Sequence, residues 1–170
     1  MEIILVGYMG SGKSTIAHKL SEVLNLKMID LDEYIVEKEG VNIPEIFKKK
    51  GEIYFRKLET KALEEIIQSE KNYVLSVGGG TPCYGKNIEL IIKNGISFYL
   101  KASIQTLNAR LLKEKNSRPL IKNIQDQDLL EFIAKHLFER NPIYEKTSHT
   151  IKIDGKDVQE IVEEIILNTQ

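Results

Sequence analysis

The sequence predicts an α/β fold in which helices cover a parallel sheet, and three observations support this prediction. Short apolar runs alternate with longer amphipathic segments, which is the pattern of repeated strand–helix–strand units. The first apolar run is followed directly by a glycine-rich loop and then by a helical pattern. The chain has 170 residues, 42% of them hydrophobic, so we expect a single domain with one substantial core.

Five strands are expected because five apolar runs are too short for helices and are bounded by turn signals. They cover residues 2–6, 27–29, 73–77, 96–100 and 149–153. The remaining segments have the apolar spacing of helices. We expect these helices over 13–25, 31–39, 44–50, 52–69, 86–93, 103–113, 126–146 and 156–168.

Glycine and proline mark several of the predicted helix ends. Gly40, Gly51 and Gly95 each follow a helical segment, where C-terminal caps belong. Pro44, preceded by Asn42, is typical of a helix start.

Composition excludes some classes of function. The net charge of −1 and the absence of long Lys/Arg blocks do not indicate binding to nucleic acid. No apolar stretch approaches the roughly twenty residues of a membrane span, and the start of the chain lacks a signal-peptide layout, so we expect a cytoplasmic protein without a membrane partner. Cys83 is the only cysteine; it cannot form an intramolecular disulfide, and we expect it to be a packing residue.

The most informative motif is GYMGSGKST at residues 7–15, which matches GxxxxGK followed by Ser or Thr. In such a phosphate-binding loop, glycines let successive backbone N–H groups face the phosphates, and lysine adds a mobile charge. We therefore expect nucleotide contacts from Gly10, Ser11, Gly12, Lys13, Ser14 and Thr15, with Mg²⁺ on the Ser14 hydroxyl. The alternative is a glycine-rich turn that binds nothing.

Residues that follow the other strands are also candidates, because parallel sheets bind ligands beyond the carboxyl ends of their strands. Asp30 and Asp32 follow the second strand; one can serve the metal, and the other can accept the proton of an attacking hydroxyl. The alternative is an ordinary helix N-cap. Gly78, Gly79 and Gly80 follow the third strand, where bare backbone N–H groups can approach substrate oxygens, unless the segment is a simple turn.

The four arginines, at positions 56, 110, 118 and 140, are candidates for binding anions. The rigid guanidinium fork suits carboxylates and phosphates better than the lysine ammonium does. A solvated salt bridge is the alternative, and for Arg110 taken alone it is the favoured one.

Together these motifs resemble those of the shikimate kinase family in order and spacing over essentially the whole chain. The elements are GYMGSGKST at 7–15, Asp30-Leu31-Asp32, Phe55-Arg56-Lys57-Leu58-Glu59, Gly78-Gly79-Gly80, Ser117-Arg118-Pro119-Leu120 and Arg140-Asn141-Pro142-Ile143-Tyr144. The first motif is shared with many nucleotide-binding proteins, but its combination with the others is specific.

The resemblance implies a three-layer α/β/α P-loop kinase fold with a five-stranded parallel sheet, substrate-binding helices at about 31–69 and a mobile lid at about 114–125. It implies transfer of phosphate from ATP, with Mg²⁺, to the 3-hydroxyl of shikimate, a step toward chorismate and aromatic amino acids, carried out by a monomer.

The resemblance also assigns roles to individual residues. Asp32, Lys13 and Arg118 are then catalytic, and Ser14 and Asp30 hold the metal. Arg56 and Arg140 bind the shikimate carboxylate, the residues 78–80 bind its hydroxyls, and Arg118 reaches the phosphates from the lid. Arg110 stacks on adenine. Glu59 either pairs with Arg56 or is an ordinary surface glutamate. The loop at 153–158 lacks the proline expected of the family's adenine-binding loop.

Two other functions stay open. A related kinase for gluconate or a nucleotide would keep the phosphate-binding loop, but the set of Arg56, three glycines and Arg140 argues against it. A non-catalytic nucleotide-binding switch would normally carry an [N or T]KxD guanine signature, which does not occur in this chain.

Overall fold

All residues, 1–170, are described by a computed structural model, in which five parallel strands form one sheet between layers of helices. The strand order is β2-β3-β1-β4-β5. The strands are β1 Glu2–Val6, β2 Lys27–Asp30, β3 Tyr73–Ser76, β4 Ile96–Lys101 and β5 His149–Lys152. Strand β1 is central, pairing with β3 on one side and β4 on the other.

Eight α-helices and two short 3₁₀ turns complete the fold. The helices are α1 Lys13–Leu24, α2 Leu31–Glu39, α3 Ile43–Lys50, α4 Glu52–Ser69, α5 Asn87–Asn94, α6 Ile104–Glu114, α7 Asp126–Tyr144 and α8 Val158–Leu167. The 3₁₀ turns, which the sequence pattern did not indicate, are Thr81–Cys83 and Lys115–Ser117.

Every predicted strand and helix is present, and its ends lie within two residues of those expected. Helix α8 begins at Val158, two residues later than predicted, because Asp157 is its N-cap and forms a capping box with Glu160. Asn42 caps α3 as expected, accepting a 2.9 Å hydrogen bond from the Glu45 N–H. Gly40 ends α2 in the left-handed region, whereas Gly95 is extended, with φ −170°.

The core is one cluster of 37 buried hydrophobic residues around the sheet. Residues 3–6 of β1 are fully buried, so both faces of the central strand are covered. Cys83, which we expected to be a packing residue, is exposed. None of the helices has the length and apolarity needed to cross a membrane.

Candidate functional site

The loops that follow β1, β2 and β3 open into one cleft of about 920 Å³. A parallel sheet brings the carboxyl ends of its strands to one edge, which explains why these distant segments meet. Every residue predicted for the site lines this cleft: Gly10, Ser11, Gly12, Lys13, Ser14, Thr15, Asp30, Asp32, Arg56, Gly78, Gly79, Gly80, Arg110, Arg118 and Arg140.

The phosphate-binding loop, residues 7–15, forms a cradle of unused donors. Gly10 and Gly12 have φ values of 81° and 89°, which residues other than glycine rarely adopt. The N–H groups of residues 12–15 donate no hydrogen bond within the chain, and no side chain caps α1. The Ser11 hydroxyl is buried without a partner. Free N–H groups at a helix N-terminus are the donor set that binds phosphate.

Lys13 is folded back onto this loop. Its Nζ donates to the carbonyl oxygens of Gly7, at 2.7 Å, and Tyr8, at 3.1 Å. Burial lowers the pKa of Lys13 to about 8, against the opposing effect of Asp32. The side chain therefore stays largely cationic at neutral pH.

Asp30 caps a helix with one carboxylate oxygen and contacts Ser14 of the phosphate-binding loop with the other. Its Oδ1 accepts hydrogen bonds from the N–H groups of Asp32, at 3.0 Å, and Glu33, at 3.2 Å, and so caps α2. Its Oδ2 accepts one from Ser14 Oγ at 3.1 Å. A carboxylate and a hydroxyl oxygen fit Mg²⁺, which prefers oxygen ligands and takes its remaining ligands from phosphates and water.

Asp32, in the first turn of α2, is exposed on the lining of the cleft, but the protein groups around it disfavour its charge. Burial, followed by the negative charges of Asp30 and Glu59, raises the pKa of Asp32 to about 6. Lys13 and Arg56 partly oppose this rise. A carboxylate with such a pKa is ionised at neutral pH and is more basic than an ordinary aspartate, as a proton acceptor requires.

Arg56 is held in place by a buried carboxylate. Its Nη1 donates to Glu59 Oε1 at 2.5 Å, and the side chains of Arg56 and Glu59 are only 14% and 2% exposed. The second oxygen of Glu59 accepts a 2.5 Å hydrogen bond from the Thr81 hydroxyl. The surface interpretation of Glu59 is therefore wrong, and Arg56 enters the cleft with a fixed orientation.

Residues 78–80, the glycine loop, lie between two guanidinium groups. A Cβ on Gly80 would lie 2.5 Å from Arg56 Nη1, and one on Gly79 would lie 3.4 Å from Arg140 Nη1. The N–H groups of all three glycines donate no hydrogen bond within the chain. The lining of the cleft thus includes three N–H groups without a partner in the chain, beside two cations.

Arg140, on α7, differs from Arg56 because it has no acidic partner. It forms no salt bridge, and its guanidinium carbon lies 5.8 Å from the centre of the Tyr8 ring. Tyr8 in turn shares a 2.9 Å hydrogen bond with His136 Nδ1. An unpaired, half-buried guanidinium at a cleft is available for an external anion.

The other two arginines line the cleft near the phosphate-binding loop and the predicted lid segment. Arg110 Nη1 donates to the Gly10 carbonyl at 3.1 Å, so the salt-bridge interpretation of this residue is wrong. Arg118 donates to Glu114 Oε2 from Nε, at 2.9 Å, and from Nη2, at 2.6 Å. It thus lies in the predicted lid segment with its guanidinium occupied by a neighbouring carboxylate.

Sequence reasoning missed several residues that line the cleft. Ile43 and Phe47 of α3 form an apolar wall together with Phe55, and Lys156 and Val158 lie near the start of α8. Ile43 and Phe47 have the spacing of ordinary core positions in an amphipathic helix, so nothing in the pattern distinguished them.

Comparison with known proteins agrees with these observations. The family model of shikimate kinase matches residues 9–170. A shikimate kinase from Flavobacterium johnsoniae is 46% identical over 166 residues, 97% of this chain and 96% of that protein.

Solved structures are similar as well. The shikimate kinase from Bacteroides thetaiotaomicron has a TM-score of 0.93 at 33% identity, covering 99% of this chain and 98% of the other. The enzyme from Acinetobacter baumannii, solved in complex with shikimate, has a TM-score of 0.87 at 34% identity, covering 99% and 94%. With a family match over nearly its full length and relatives this similar, the chain belongs to the shikimate kinase family.

Proposed function

We propose that this protein transfers the γ-phosphoryl group of ATP to the 3-hydroxyl of shikimate, giving shikimate 3-phosphate and ADP. The observation that carries this proposal is the joint presence, in one cleft, of a phosphate cradle and of two guanidinium groups around the free N–H groups of the glycine loop. The first fits a nucleotide and the second fits a small hydroxylated carboxylate.

The carboxylate of shikimate binds between Arg56 and Arg140. Arg56 is oriented by Glu59, and Arg140 has no acidic partner, so an arriving carboxylate gains a charge-assisted contact without displacing one. The glycine N–H groups donate to ring hydroxyls. Phe47 and Phe55 provide an apolar wall for the carbon ring.

ATP binds with its phosphates on residues 10–15, where free N–H groups and Lys13 neutralise negative charge. Arg110, whose guanidinium contacts the phosphate-binding loop, stacks on adenine, and Arg118 moves from Glu114 to the phosphates when the lid, residues 114–125, closes. Ser14 and Asp30 would hold Mg²⁺, which would supply positive charge to neutralise the phosphates.

Asp32 orients the 3-hydroxyl and accepts its proton. The hydroxyl oxygen forms the new bond to phosphorus while the bond to the ADP oxygen breaks. Phosphoryl transfer depends mainly on positioning and charge neutralisation, so the fixed cleft supplies most of what the reaction needs. Asp32 Oδ1 would lie 3.6 Å from a Cβ on Gly78, which places the carboxylate beside the loop that binds the acceptor.

One chain supplies every residue of this site, so we propose that the enzyme acts as a monomer. We also propose that it acts in the cytoplasm. Gel filtration at working concentration would check the first statement, because a dimer would elute at twice the 19.5 kDa chain mass.

The test is release of ADP from MgATP by the purified protein with shikimate, gluconate, nucleoside monophosphates or no acceptor. Stimulation by shikimate alone is the expected result. Stimulation by another acceptor would overturn the carboxylate site formed by Arg56 and Arg140, and no stimulation by any acceptor would favour a nucleotide-binding switch.

A further inference from the structure

Tyr144 is a buried tyrosine whose hydroxyl donates a hydrogen bond to the glycine loop. It is fully buried at the end of α7, and its hydroxyl donates to the carbonyl oxygen of Gly79 at 2.5 Å. It follows Arg140 by four residues, so the two side chains lie on the same face of one helix. The end of α7 therefore contacts the glycine loop at two points.

This hydrogen bond fixes the direction of a free donor. The chain contains no cis peptide bond, so the carbonyl of Gly79 and the N–H of Gly80 point in opposite directions within their shared peptide plane. The carbonyl points to Tyr144 in the interior, and the N–H of Gly80 therefore points the other way. That N–H has no partner within the chain, and Gly80 lines the cleft.

We propose that Tyr144 is a positioning residue for the acceptor: by binding the Gly79 carbonyl it holds the Gly80 N–H in the orientation that donates to shikimate. This inference rests on the proposed function. Without the tyrosine hydroxyl, the peptide between two glycines is free to rotate, because neither residue has a side chain to restrict it.

The chemical state of Tyr144 suits this role. Burial raises the pKa of its hydroxyl well above the ordinary value, with the charge of Arg140 opposing that rise. The phenol is therefore a neutral donor throughout the working pH range. Without this donor, the partly buried carbonyl of Gly79 would lack a partner within the chain.

Tyr99 offers a matched control. Its ring packs 5.1 Å from that of Tyr144, and its hydroxyl also binds α7, donating to Asn141 Oδ1 at 2.6 Å. Its hydroxyl does not contact the glycine loop. Tyr99→Phe thus removes the same atom from an adjacent buried ring and one anchor of the same helix, but leaves the Gly79 carbonyl bonded.

The experiment compares Tyr144→Phe and Tyr99→Phe with the wild type by steady-state kinetics. We expect Tyr144→Phe to raise the KM for shikimate about five- to twentyfold, the loss of roughly one well-made hydrogen bond, with the KM for MgATP within about twofold. Tyr99→Phe should leave both KM values within about twofold. An unchanged KM for shikimate in Tyr144→Phe, or equal rises in the two variants, would overturn the proposal.

A second measurement does not depend on the variants folding. In the wild type, the assigned backbone amide signal of Gly80 should shift when shikimate is added, as expected for an N–H that gains an acceptor. A Gly80 signal that stays in place at saturating shikimate would overturn the proposal. Failure of the proposed function can be distinguished from failure of this inference, because the wild type itself would then show no turnover with shikimate.

Discussion

At the scale of single residues, the proposed mechanism assigns the chemical step to Asp32. Asp32→Asn keeps the shape of the side chain but removes the proton acceptor, so kcat should fall by about 10²- to 10⁴-fold. The KM for MgATP should change little, since the phosphate cradle consists of backbone donors and Lys13. Wild-type turnover in Asp32→Asn would remove this residue from the mechanism.

The pH dependence follows from the same side chain. Because the pKa of Asp32 is raised to about 6 and the ionised form is the active one, kcat/KM for shikimate should fall as the pH drops through about 6. The residual activity of Asp32→Asn should lack this acidic limb. A wild-type profile that stays flat down to pH values near the ordinary pKa of aspartate, about 4, would contradict the assignment.

Arg140 is predicted to bind substrate without taking part in the chemistry. Arg140→Ala should raise the KM for shikimate by about 10²-fold, the expected loss for a charge-assisted pair at a partly buried site. The KM for MgATP should stay within about threefold. Lys135→Ala is the control, because it removes a cation from the same helix that is 78% exposed and pairs with Glu131. Equal effects of the two substitutions would indicate a general charge effect.

At the scale of elements, the glycine loop contacts α4 where Gly80 lies against the Arg56 guanidinium. Gly80 has φ −88° and ψ −16°, which alanine adopts readily, so a Gly80→Ala substitution does not strain the backbone. An alanine Cβ would meet the Arg56 guanidinium at 2.5–2.7 Å and displace it from Glu59. We expect Gly80→Ala to raise the KM for shikimate about tenfold with a melting temperature within a few degrees of the wild type.

A double-mutant cycle checks the reason for that loss. In an Arg56→Ala background, Gly80→Ala has no guanidinium to displace, and its further effect on the KM for shikimate should be small. Additive effects of the two substitutions would show that alanine at position 80 acts in another way, for example by blocking the substrate directly.

The lid, residues 114–125, is the element expected to move. Arg118 is held by Glu114, which is 48% exposed, and exposed pairs contribute only about 0–1 kcal/mol, so phosphates can compete for the guanidinium. Saturating MgATP should therefore slow cleavage of this segment in limited proteolysis. Cleavage at an unchanged rate would count against closure of the lid.

At the scale of the whole molecule, the order of strands and helices could be predicted because short apolar runs bounded by turn signals alternate with segments of helical spacing. The phosphate-binding loop, Asp30 and Asp32 were candidates because they follow strand ends or belong to a motif, and the four arginines because their guanidinium groups suit anions. Their convergence in one cleft follows from the geometry of a parallel sheet.

Other parts of the site could not be predicted, for physical reasons. Glu59 occupies a helical position that can face either solvent or core, and only tertiary packing decides that it is buried beside Arg56 and Thr81. The contact between Tyr144 and Gly79 joins residues 65 positions apart in the chain, so no local pattern indicates it. Ile43 and Phe47 have the helical spacing of core residues, so the sequence does not show that they line the cleft.

The most direct test of the central claim is the position of the phosphate in the product, measured by phosphorus–proton NMR correlation after incubation with MgATP and shikimate. We predict a single phosphorus signal coupled to the proton on C3, because a carboxylate fixed by Arg56 and Arg140 allows one hydroxyl to meet Asp32. A phosphate on another ring position, or a mixture of positions, would contradict this arrangement of the cleft.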